Sequence, residues 1–223
     1  MARDIYVALG DSITAGYDAT HPAHTFVHQF YTVIRRSQLA QRTTVIAQNG
    51  WDTQTLQRAV QSAWPKLWDE ASAATVLIGG NDLRKLLTRQ FLSGAPVSPH
   101  LITLTLQKFA RDLDILCHFL QTREIPHLIL GTLYNPAPNY LPATHAIEEL
   151  NAIISLVAKR YDMDVADIAA AFSGKEAHLI HGYRFGRIED LSVPIRRPIH
   201  PNDDGHRTIA RVLTERLDGS LST

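Results

Sequence analysis

A chain of 223 residues with 45% hydrophobic content is long enough to bury a sizeable core, and one domain over residues 1–223 is expected. Lysine plus arginine equals aspartate plus glutamate at 22 each, and only scattered basic pairs occur, Arg35-Arg36 and Arg196-Arg197. Without a basic stripe to neutralise phosphates, nucleic-acid binding is excluded. Cys117 is the only cysteine, so neither an intrachain disulfide nor a cysteine-cluster metal site can form.

The amino terminus, Met1-Ala2-Arg3-Asp4, has no apolar signal region, and no stretch approaches the ~20 apolar residues of a membrane span. A cytoplasmic location is expected for the chain as given, with export through a removed signal left open. In chain order, strand-forming runs lie at Ile5–Leu9, Thr44–Ala47, Thr75–Ile78 and Leu128–Leu133, with a weaker one at Met163–Val165. Each is near-continuous, which predicts strands buried on both faces of a parallel sheet. Helical periodicity covers Thr25–Leu39, Leu101–Gln121, Ala143–Tyr161 and Asp203–Leu217. Pro65 is expected to end or kink a helix begun near Thr53. Strands alternating with helices predict a doubly wound α/β sandwich.

Four polar segments follow the strand runs or open the last helix. Gly10-Asp11-Ser12 leaves the first run, at the sheet edge where ligands bind in open α/β folds. Its serine is either a nucleophile or a helix N-cap, and N-caps are commoner. Asn49-Gly50-Trp51 follows the second run and Gly79-Gly80-Asn81-Asp82 the third. His200-Pro201-Asn202 precedes the final helix. Taken singly, Gly50 is a turn glycine and Asn81 a helix cap.

Together the four segments resemble the four blocks of the SGNH (GDSL) hydrolase superfamily, spread from residue 9 to about residue 206. Matched residue by residue, the resemblance implies Ser12 as nucleophile, His200 as catalytic histidine, and Gly50 and Asn81 as oxyanion donors. It implies a three-layer α/β/α sandwich on a five-stranded parallel sheet of flavodoxin-like order. The implied activity is cofactor-independent hydrolysis of a small-molecule carboxylic ester through an acyl-enzyme. Acyl transfer, thioester hydrolysis and a non-catalytic acyl- or glycan-binding relic are the alternatives.

The family pattern puts an aspartate three residues before the histidine, and here that position is Arg197. A cation cannot accept the ring Nδ1–H. A backbone carbonyl orienting His200, a displaced carboxylate from Glu189 or Asp190, or a weakened site would answer this. Asp190 is the first choice among carboxylates, turned back by Pro194 and Pro198. Asp203 and Asp204 are expected to cap the last helix, and His206 within it to be structural.

Other constellations carry less. His21, His24 and His28 sit at helical spacing but are interrupted by Pro22 without a nearby acid, so a solvated surface is expected and no metal. Gly79-Gly80 lacks the Lys-Ser/Thr ending of a phosphate loop, and no nucleotide cofactor is expected. The loop Tyr134–Pro142, stiffened by three prolines, is either a plain connection or a wall of the substrate pocket. Tyr17, Trp51 and Tyr134 are core aromatics or pocket lining.

Overall fold

The computed structural model describes residues 3–94, 97–192 and 197–221; the expected turn at Pro194 and the Arg196 half of the basic pair lie outside them. Ile5–Gly10 forms β1, with all six residues buried. Around it run β2 (Arg42–Ala47), β3 (Ala71–Leu77), β4 (His127–Gly131) and β5 (Asp164–Ala166). Every pairing is parallel and the order is β2-β1-β3-β4-β5, as expected. The order reverses between β1's neighbours, which opens a crevice at the carboxyl ends of β1 and β3.

Helices cover both faces. Helices α1 (Phe26–Arg36) and α10 (Asp203–Leu221) pack together on one. On the other, α2 (Thr53–Gln61), α5 (Pro99–Gln121) and α6 (Leu141–Arg160) pack in sequence, and α4 (Gly80–Leu92) joins α5. Short helices α3 (Pro65–Glu70), α7 (Ile168–Phe172), α8 (Glu176–Leu179) and α9 (Ile188–Ser192) fill the connections. The apolar stripe of α1 buries Phe26, Phe30 and Ile34, and Phe30 meets the Tyr6 ring edge-on at 5.4 Å. Tyr6 satisfies its hydroxyl on Thr75 Oγ1 at 2.7 Å, so the aromatic is buried without an orphan polar group.

Three expectations are corrected. Strand β2 is largely exposed, because it sits at the sheet edge and pairs only with β1. Pro65 neither ends nor kinks α2, which stops at Gln61; it opens α3, where its missing N–H costs no hydrogen bond. Strand β3 begins four residues before Thr75, in Ala71-Ser72-Ala73-Ala74. Alanine is a weak strand former, and burial between β1 and β4 overrides that propensity.

Gly10 ends β1 where the backbone of β3 crosses closest. A Cβ there would overlap the Leu77 carbonyl oxygen and the Thr14 side chain. Gly10→Ala is therefore expected to lower the unfolding free energy by about 1–3 kcal/mol, read from the denaturant midpoint. An unchanged midpoint would show that β1 and β3 part without cost.

Candidate active site

Two residues beyond β1 the chain turns sharply, with Tyr17 N–H donating to the Ser12 carbonyl at 3.0 Å. The Ser12 hydroxyl does not cap a helix. It lies 3.0 Å from Nε2 of His200, across a sequence separation of 188 residues. His200 is held from both sides of the chain. The Tyr134 hydroxyl donates to the Ile199 carbonyl at 2.7 Å, and His181 N–H donates to the His200 carbonyl at 2.9 Å. Pro201 forms an antiparallel bridge with Ile180, and Asn202 caps α10 by accepting from Gly205 N–H at 2.9 Å.

The Nδ1 partner of His200 is neither a backbone carbonyl nor Asp190. It is Asp18, whose Oδ2 lies 2.9 Å away. Asp190 is buried at the start of α9, where its carboxylate accepts from Phe185 N–H and Arg187 N–H at 2.9 and 3.2 Å. Its short side chain is committed to that turn, 10 residues before His200 in sequence. Asp18 lies in the same loop as Ser12, with φ of 62°, a left-handed conformation that aspartate tolerates better than most residues. Nothing upstream of His200 points to it. The available signal was an acid six residues beyond the serine, and its reach depends on that backbone turn.

Asn81 occupies the first turn of α4 rather than its cap, which is Gly79. Its Nδ2 donates to the Trp51 carbonyl at 2.9 Å and lies 3.4 Å from Asp11 Oδ2. Its Oδ1 accepts a fork from Arg84, one turn on, with Nε at 3.2 Å and Nη2 at 2.9 Å. Arg84 was not anticipated, although i,i+3 spacing on a helix makes such a pair natural. Gly50 turns the chain after β2 with φ of 81°, the region glycine favours, with open space where a Cβ would stand. Among the described residues, no acceptor takes the N–H of Ser12 or of Gly50.

Ser12, Asn81 and His200 line one cleft. Gly50 is not among its lining residues and is joined to it through the Trp51 carbonyl on Asn81. Tyr134, Asn135 and Pro136 do line it, so the proline-stiffened loop forms a wall. Tyr134 also stacks on Phe172 at 4.2 Å, Trp51 packs against the core, and Tyr17 lies 5.5 Å from the His200 ring.

Burial dominates the electrostatics here. It pushes the Asp11 carboxyl up to about 7 and that of Asp82 up to about 6, although the latter accepts from Thr53 N–H and Oγ1–H. Burial also lowers His200 below the usual imidazole range; Asp18 opposes this, while Arg84 and His181 add to it. Asp203 and Asp204 open α10 but serve other partners. Asp203 accepts from Thr20 and pairs with His24, and Asp204 pairs with Arg207 and His178. His21 accepts from Ala23 N–H, and no cluster of three metal-binding side chains exists among the described residues.

Residues 8–208 match the GDSL-like lipase/acylhydrolase family. The chain belongs to that family. Among solved structures of similar fold is a lipase from a goat rumen metagenome, 20% identical, TM-score 0.77, covering 96% of this chain and 97% of that one. Phospholipase A1 from Streptomyces albidoflavus is 17% identical, with TM-score 0.73 and coverage of 96% and 100%. Acetylxylan esterase from Geobacillus stearothermophilus is 16% identical, with TM-score 0.68 and coverage of 97% and 94%. At these identities the likeness is one of fold. No curated protein matches the chain in sequence. No helix among the described residues of this GDSL-family chain is long and apolar enough to cross a membrane.

His206, fully buried in α10, supports the loop that carries Asp18. Its Nδ1 accepts from Phe26 N–H at 3.3 Å, and Nε2–H points at the Tyr17 carbonyl at 3.4 Å. Burial holds its imidazole down to about 4; the Tyr17 carbonyl, Asp203 and Asp18 oppose this and His200 reinforces it. An unfolded imidazole takes up its proton near 6.5. Between those values the unfolded chain binds a proton that folded His206 does not, so stability falls as pH drops from about 6.5 to 4. The contribution is up to about 3 kcal/mol. His206→Gln is expected to flatten that segment of the melting-temperature profile; an identical slope would assign the acid sensitivity elsewhere.

Proposed function

We propose that this GDSL-family chain hydrolyses carboxylic esters through an acyl-enzyme on Ser12, with His200 as base and Asp18 as the carboxylate that orients it. The observation that carries the reading is the continuous hydrogen-bonded line from Ser12 Oγ to His200 Nε2 and from His200 Nδ1 to Asp18, opening on a cleft. A serine hydroxyl is a weak nucleophile at neutral pH and needs a base within hydrogen-bond reach. Asp18 fixes the tautomer in which Nδ1 carries hydrogen and Nε2 is free to accept. Depression of the His200 pKa keeps the ring neutral, hence basic, at neutral pH.

In the acylation step Ser12 Oγ bonds to the ester carbonyl carbon while its proton passes to His200 Nε2. The tetrahedral intermediate collapses, the C–O bond to the alcohol breaks, and His200 returns the proton to the leaving oxygen. Water then attacks the acyl-serine by the same route, releasing the acid and restoring both side chains. Negative charge on the carbonyl oxygen is met by the Ser12 and Gly50 N–H groups and by the Asn81 amide proton whose long 3.4 Å bond to Asp11 Oδ2 yields to the oxyanion. Arg84 acts through Asn81. Its fork fixes which end of the amide is nitrogen and draws charge toward Oδ1, making Nδ2–H a stronger donor. The relic alternative was motivated by the missing aspartate at position 197, and Asp18 supplies a carboxylate at the position it would serve.

On p-nitrophenyl esters, Ser12→Ala is expected to abolish turnover. Asp18→Asn is expected to lower kcat by up to ~10⁴. Because Asp18 raises the His200 pKa, the same change should move the acid limb of kcat/KM to lower pH. Near-normal kcat with an unmoved limb would remove Asp18 from the site. Arg84→Met keeps the stem and loses the fork, so kcat should fall about 10- to 100-fold with little change in KM. Added guanidinium ion should restore part of it. A rise in KM alone would mean that Arg84 binds substrate instead.

A further inference from the structure

Asp18 reaches His200 from an exposed loop whose backbone is left-handed at that residue, with φ of 62°. Such a conformation is costly for a residue with a Cβ and persists only where its surroundings hold it. Up to Ala19 the loop bonds within itself, Ala15 N–H to the Asp11 carbonyl, Tyr17 N–H to Ser12 and Ala19 N–H to Gly16. The flanks of Asp18 are tied instead to the first turn of α10.

On one flank His206 Nε2–H points at the Tyr17 carbonyl at 3.4 Å. On the other, Asp203 grips Thr20 at two points. Thr20 N–H donates to Oδ1 at 2.9 Å and the Thr20 hydroxyl to Oδ2 at 2.5 Å. His24 Nδ1 closes the cluster, 2.7 Å from the same Oδ2 and 3.0 Å from the Thr20 hydroxyl. Bonds from Thr20, and then from His24, hold the Asp203 carboxyl down to about 2, so it stays charged throughout the range in which an imidazole titrates. Asp204 makes the contrast. It opens the same helix but pairs with Arg207 and His178, as a carboxylate serving only the helix end would.

We propose that Asp203 is a positioning residue for the reaction: by clamping Thr20 it holds Asp18 against His200 Nδ1. His200, Asp203 and His206 stand three residues apart, so one segment delivers the imidazole and both tethers of the loop that carries its carboxylate. A carboxylate three residues after the histidine thus does indirectly what one at position 197 would do directly. The catalytic consequence rests on the ester-hydrolase reading; the clamp itself rests on the hydrogen bonds. The charged and titratable groups that face His200 are Asp18, Arg84, His181 and, behind the loop, His206. Those that face Asp203 are His24 and His206. Asp203 acts on His200 through the loop.

The test is an NMR titration of the His200 ring in the whole chain, alongside kcat on a p-nitrophenyl ester. Asp203→Ala frees Thr20 at both points. Because Asp18 raises the His200 pKa, the ring should then titrate at lower pH, as in Asp18→Asn. In parallel, kcat should fall about 10- to 100-fold with little change in KM. Asp203→Asn removes the charge but keeps an oxygen for Thr20 N–H, so both effects should be smaller than with alanine. Thr20→Val breaks only the hydroxyl bond, at an exposed position, and should shift the ring in the same direction by less. Asp204→Ala should move neither readout. In an Asp18→Asn background, Asp203→Ala should bring no further fall in kcat, since both act on one hydrogen bond. A His200 titration unmoved by Asp203→Ala and by Thr20→Val would overturn the clamp even if kcat falls. Equal shifts from Asp203→Asn and Asp203→Ala would overturn it too, by assigning the effect to charge. The titration needs no turnover, so the clamp is decided separately from the hydrolase reading, which fails if wild type turns over no ester.

Discussion

Both nitrogens of the His200 ring meet side chains from a single loop, Ser12 and Asp18, six residues apart after β1. The rest of the site follows from that constraint. The loop must be tight enough to present both groups to one imidazole, which the left-handed turn at Asp18 and the bond from Tyr17 N–H to the Ser12 carbonyl achieve. His206 holds the loop from beneath through the Tyr17 carbonyl, while Tyr134 and His181 hold the His200 segment from either side. Since the loop carries its own carboxylate, the segment before His200 has no need to supply one. An arginine at position 197 is then compatible with an oriented imidazole.

The same corner of the fold concentrates groups whose ionisation is displaced by burial. Asp11 and Asp82 are pushed toward neutrality, His200 and His206 are held back from protonation, and Arg84 is lowered by burial and by the neighbouring Arg197 charge. Three of these groups, Asp11, Arg84 and His200, line the cleft, where charges act more strongly than in water. Removing water from the apolar walls also strengthens the proposed Arg84–Asn81–oxyanion relay. The proposed oxyanion donors therefore depend on the largely apolar lining of the cleft.

What the chain's own residues determined was the scaffold and the segments that carry Ser12 and His200. The apolar runs marked all five strands, and for β1, β3 and β4 the reason is that strands inside a sheet covered on both faces demand continuous hydrophobicity, a local property. Ser12 and His200 were legible through the resemblance of four short segments to one family, since a strand exit or a helix start alone leaves a serine more often a cap. Edge exposure of β2, the alanine-rich start of β3 and the opening role of Pro65 depended on which element lay alongside, so periodicity missed them. Arg84 lay within reach of helix spacing, three residues beyond Asn81, whereas Asp18 was decided by tertiary structure alone. A hydrogen bond to His200 across 182 residues requires the α10 end of the chain to close onto the β1 loop. No spacing in the sequence encodes that closure, because it is set by packing of α10 against α1 and the sheet.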